Sequence, residues 1–162
     1  MTTSRSRCAS RGQDGHWKAQ ALRDLGTALA QAGQQKQASQ VWAEAQRVIG
    51  TIQDDERLYE ALKDLGTALT QAEQWTEAER VIGTIPGSSW QAEPLKDLAT
   101  LMARTDNLEH LLHLIQRSWH QVESRKEALT FFSIAYAVIS YKPEVGKAFF
   151  DAFIWVNTFL DG

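Results

Sequence analysis

Three of the four histidines, His110, His113 and His120, fall between positions 110 and 120. Glu109 and His113, four apart, would share one helix face and could offer a metal two ligands. No HExxH or comparable spacing accompanies them, and no third ligand is evident, so surface histidines are the expected reading and no metal site is assigned. Cys8 is the only thiol. Arg5, Arg7 and Arg11 would lower its pKa modestly, but no histidine is fixed beside it as a base. A single cysteine excludes an internal disulfide and a multi-thiolate zinc site, and it suits a reducing, cytoplasmic compartment. GxxxxGK[ST], GxGxxG and GxSxG are all absent, so neither a phosphate cradle nor a nucleophile elbow is encoded. The expectation is a chain with no catalytic residues and no cofactor.

Composition narrows the class further. The 162 residues carry 17 basic and 20 acidic side chains, a net charge of −3, so no basic surplus points to nucleic acid. A hydrophobic share of 43% with 23% charged residues describes a water-soluble chain with a core. Three prolines and ten glycines favour helices over a turn-rich β fold. Residues 1–15 are polar and lack the apolar run of a secretory signal, so they read as a disordered tail ahead of a domain over 16–162. All six phenylalanines lie at or beyond position 131. Lys142, Pro143, Glu144, Lys147 and Asp151 interrupt that region before a membrane-spanning length accumulates.

The elements that must position any site are repeats. Residues 21–32, ALRDLGTALAQA, return at 61–72 as ALKDLGTALTQA, and PLKDLATLMAR follows at 94–104. RVIGTI occurs at 47–52 and again at 80–85. In the second copy Leu58, Leu62, Leu65, Leu69 and Ala72 recur at three and four, the stripe of an amphipathic helix. Asp54 or Asp55 supplies the cap, and a turn at Glu73-Gln74 reverses the chain. Trp75, Ala78, Ile82 and Ile85 then form a second stripe, ended by Pro86-Gly87-Ser88-Ser89. Gly66 and Ala78 are small where the two helices must approach closely. Each unit is a helical hairpin.

The order Leu65-Gly66, Leu69, Trp75, Glu77-Ala78, Ile82 resembles the tetratricopeptide repeat, a helix–turn–helix unit of 34 residues. Leu25-Gly26, Leu29, Gly33, Ala38, Trp42 and Ala45 match in unit one. Leu98-Ala99 and Met102 match in unit three, where Leu111 replaces the small alanine. The repeats are also similar to those near the ends of large bacterial signalling proteins. The resemblance implies an all-α, right-handed α-solenoid of about four units, at 16–53, 54–87, 88–120 and 121–162. Unit one is longer by seven residues, which should extend its second helix toward Ile52 and make it overhang its neighbour.

The same resemblance implies a concave groove lined by the first helix of each unit. It places Arg23, Lys63 and Lys96 in one row and Thr27, Thr67 and Thr100 in the next, extended by Gln71 and Arg104. Stacked donors of this kind suit a peptide backbone or carboxylate. Asp24, Asp64 and Asp97 follow the three cations, so partial self-neutralisation is expected. A final helix from Pro143 to about Leu160 would leave Phe150, Ile154 and Trp155 outside its inward stripe, a patch for a homodimer or a partner. The expected function is a non-catalytic interaction module or scaffold that binds a protein or peptide, with no nucleic acid and no membrane. The alternatives are an oligomerisation or capping segment, and a sensor or recruitment array of a larger bacterial signalling protein.

Overall fold

The computed structural model describes residues 3–120 together with positions 135, 136, 138–140, 143 and 146. Every regular element among them is helical: α1 (Thr3–Gln31), α2 (Gln35–Ile49), α3 (Asp55–Gln71), α4 (Trp75–Gly83), α5 (Ser88–Arg104) and α6 (Leu108–His120). The fold is all-α. Two compact units divide the chain, residues 1–94 and 95–162. The boundary follows Pro94, a buried proline inside α5, which has no N–H to return to the Trp90 carbonyl one turn back.

One turn joins each helix pair. Gly33, Glu73 and Asp106 have φ of 76°, 57° and 61°, the left-handed conformation that stops a helix. The next amide reaches back to close the last turn in all three places. Gln34 N donates to Leu29 O at 2.9 Å, Gln74 N to Leu69 O at 2.9 Å, and Asn107 N to Met102 O at 3.0 Å. The same residues then start the second helices, their carbonyls accepting from Ala38 N, Ala78 N and Leu111 N. Gln34 and Gln74 make no side-chain cap bond, since the turn itself satisfies the backbone around them. The first helix of the second pair begins differently, on Asp54, whose carboxylate accepts from Arg57 N at 2.9 Å.

The RVIGTI motif gives the second helices a common end. Ile52 N bonds Ile49 O and Ile85 N bonds Ile82 O, so both chains finish in a tightened turn. The Thr51 and Thr84 hydroxyls donate to the Val48 and Val81 carbonyls at 2.7 and 2.6 Å. The two isoleucines beyond, Ile52 and Ile85, are buried.

In the first unit α1 packs on α2, α3 packs on α4, and α3 also touches both α1 and α2. That sandwich explains why α3 is apolar on more than one stripe. Gly66 faces α4, where a β-carbon would come within 2.8 Å of Ile82 Cγ1. Ala61, Leu65 and Ala68 lie on the side of α3 that borders Ile49 and Ala19, and all three are buried. Trp75, Ala78, Ile82 and Ile85 are buried as their spacing requires.

One expectation changes. The second helix of unit one is longer, 15 residues against 9 in α4, but it stops at Ile49, where Gly50 N bonds back to Gln46 O. It does not present an open overhang, because Val48, Ile49 and Ile52 are buried and Ile52 Cγ1 lies against Gly15 of α1. Gly15 contributes to that cover, and the bounds of α1 take in residues 3–15. Apart from Gly12 and Gly15, those residues are tolerable helix formers, and no proline interrupts them. Phe150, Ile154 and Trp155 lie outside the described residues, as does most of the fourth unit that carries them.

Candidate functional site

The anticipated groove residues fall on the first helix of each pair. Arg23 and Thr27 stand on α1, Lys63, Thr67 and Gln71 on α3, and Lys96, Thr100 and Arg104 on α5. The second compact unit begins at Leu95, so the α5 trio belongs to it and the other five to the first. Spacings of four put Lys96, Thr100 and Arg104 on one face of α5.

The threonines share one geometry. Thr27, Thr67 and Thr100 donate to the carbonyls of Arg23, Lys63 and Lys96, at 3.0, 2.9 and 2.7 Å. Each hydroxyl proton is therefore spent on its own helix, one turn back. What the row offers an incoming chain is oxygen lone pairs, not O–H donors.

The cations of the first unit are held by carboxylates. Arg23 Nε and Nη2 both donate to Asp24 Oδ1, and Nη1 forms an ion pair with Asp64 on α3. Lys63 Nζ donates to Glu93 Oε2 at 2.9 Å and lies 6.0 Å from the centre of the Tyr59 ring. The hydrogen bond to Glu93 is the main reason the Lys63 ammonium is held above the usual lysine range; burial opposes it. The following aspartate neutralises Arg23, as its place in the sequence suggested. Further pairs join one first helix to the next, Arg23 reaching Asp64 on α3 and Lys63 reaching Glu93 on α5. Lys96 and Arg104 form no ion pair among the described residues.

A cavity of about 10 Å³, room for roughly one water, lies beside Arg23 and Asp64 and is lined also by His16 and Ala61. Sequence reasoning missed a larger feature on the second helices. Between α2 and α4 a depression of about 250 Å³ has apolar walls from Trp42, Leu69 and Val81. Its rim is crossed by Arg80, whose Nη2 donates to Gln46 Oε1 at 2.7 Å and to Glu77 Oε2 at 2.6 Å. The signal was present in RVIGTI, since Arg47 and Arg80 open the two copies, but only Arg80 spans the two helices.

The described histidines do not assemble. His110 Nδ1 lies 2.9 Å from Asn107 Oδ1, His113 is exposed, and the His120 side chain is outside the described residues. Among the described residues no three His, Cys, Asp or Glu side chains are placed to hold a metal. No described helix is long and apolar enough to cross a membrane. No family model, curated protein or solved structure matches the chain.

Proposed function

We propose that the chain is a non-catalytic interaction module of tetratricopeptide-like repeats, a short right-handed α-solenoid of four hairpins that binds a protein or peptide partner in the cytoplasm. The observation that carries this reading is the recurrence of one surface register on three helices. Arg23/Thr27, Lys63/Thr67 and Lys96/Thr100 each repeat a cation and a threonine bonded to that cation's carbonyl. Side chains anchored on packed helices lose little freedom when a partner arrives. With Arg23 and Lys63 already clasped, a plain acidic tail is a poor ligand. A partner segment that supplies N–H donors to Asp24, Asp64 and the threonine oxygens fits better.

The test is affinity capture with the full chain, followed by titration of the purified captured partner. Wild type is compared with Asp24→Asn/Asp64→Asn/Thr67→Val, which removes acceptors that the partner would use, at two salt concentrations. Weaker binding by a correctly folded triple variant supports the groove. Unchanged affinity and unchanged salt response would reject it and move the surface to the depression between α2 and α4.

A further inference from the structure

The repeat provides an internal comparison that exposes a second surface. Ala61, Leu65 and Ala68 of α3 are buried to 7%, 1% and 7% by the pair α1–α2 that precedes them. Their counterparts in the first copy, Ala21, Leu25 and Ala28 of α1, are all exposed, Leu25 at 51%. Trp17, at 66%, and Ala32, also exposed, continue the row. At 100° per residue, positions 17, 21, 25, 28 and 32 fall within an arc of about 80°, a helix-docking stripe without a partner.

The order of sizes along the stripe identifies an occupant. Large and small residues alternate as Trp17, Ala21, Leu25, Ala28. Laid antiparallel on itself about a centre near position 23, the stripe sets Leu25 against Ala21 of the other copy. The same placement sets Trp17 against Ala28. Each bulky side chain meets a small one, which is the requirement for close helix packing and for a self-complementary two-fold interface. Asp24 flanks the stripe and would approach its own copy, but Arg23 already holds that carboxylate through Nε and Nη2. We propose that α1 is a homodimerisation helix, and that two copies of the chain pack antiparallel through Trp17, Ala21, Leu25 and Ala28. The patch borders the groove of the proposed function at Asp24 but shares none of its stripe residues with it, and it stands whether or not that groove binds a peptide.

The experiment measures molar mass by light scattering across low to high micromolar concentrations for wild type, Leu25→Asp and Trp17→Ser/Leu25→Ser. These side chains are exposed, so unchanged helical circular dichroism should accompany each variant. The expected result is a shift from one chain toward two in wild type, with association weakened about tenfold or more in both variants. Register is read by oxidative cross-linking in a Cys8→Ser background. A mixture of Lys18→Cys and Ala28→Cys chains should form a mixed disulfide dimer, and Ala28→Cys alone should not. Four outcomes would overturn the proposal: a monomeric wild type at high micromolar concentration, a dimer indifferent to Leu25→Asp, an open series of larger oligomers, or cross-linking of Ala28→Cys with itself. The second would place the interface elsewhere on the chain.

Discussion

The indole nitrogen of Trp42 occupies the space a β-carbon on Gly26 would need: an ideal Cβ there lies 2.3 Å from Trp42 Nε1. Gly66 stands at the same place in the next pair, sixteen residues before Ile82 as Gly26 is before Trp42. There the nearest approach is 2.8 Å, to Ile82 Cγ1. Both glycines are close-approach positions, and Trp42 is buried with its N–H unpartnered, although its ring also borders the depression between α2 and α4. Gly26→Ala should destabilise the fold by about 1–3 kcal/mol through overpacking, despite alanine's better helix propensity. Gly66→Ala should cost less, and Gly66→Leu and Ala78→Leu about 1–3 kcal/mol each. Chemical denaturation of the single variants checks the ranking. Equal midpoints for wild type and Gly26→Ala would show that the ring relaxes freely.

The left-handed turn position is filled by glycine in the first pair and by Glu73 in the second, at φ 57°. A residue with a β-carbon pays about 1–2 kcal/mol in that conformation, and the glutamate side chain is exposed. Glu73→Gly should therefore stabilise the fold, by up to about 1 kcal/mol once the greater freedom of glycine in the unfolded chain is subtracted. The reverse substitution, Gly33→Ala, should lower the melting temperature. A fall in stability for Glu73→Gly would mean that the glutamate makes a compensating interaction.

The Lys63–Glu93 pair has a definite pH signature. Glu93 raises the lysine pKa in the folded chain, so the contribution of this lysine is fully present below the ordinary lysine pKa. It is lost as pH rises through the raised value, in strongly alkaline solution. The pair is partly solvated, with side chains 33% and 64% exposed, so about 0.2–1 kcal/mol is expected. In Glu93→Gln the Lys63 titration, followed by NMR of its side chain, should move down toward the ordinary lysine range. An unmoved titration would remove Glu93 as the cause.

What sequence made legible was local. The turn residues, the Asp54 cap and the stripes of α3 and α4 follow from contacts within a few positions, and duplication displayed them twice. The small residues at 26 and 66 were legible for the same reason. The pairing of charges was not. Asp24 adjoins Arg23 in sequence, but the partners that join elements, Asp64 and Glu93, depend on the offset between neighbouring helices. The cover over Val48, Ile49 and Ile52 was hidden as well. It includes Gly15 of α1, which has no side chain to announce the contact. The depression beside Trp42 needs the relative placement of α2 and α4, which no spacing within either helix encodes.

Leu25 and Leu65 provide the sharpest contrast between sequence and environment. Both sit in ALxDLGTAL, with the same neighbours on either side, so local propensity is almost identical. Leu65 is 1% exposed and Leu25 51%. Truncating the buried one removes methylene contacts and leaves a cavity, so Leu65→Ala should cost about 2–5 kcal/mol. Leu25→Ala, measured at low concentration where any association is suppressed, should stay within about 0.5 kcal/mol of wild type. At high concentration the same Leu25→Ala variant should fall behind wild type, because only the wild type gains stability from a second copy by mass action. Denaturation midpoints at two concentrations read both effects. A large loss for Leu25→Ala at low concentration would mean that Leu25 is buried within one chain and unavailable to a second.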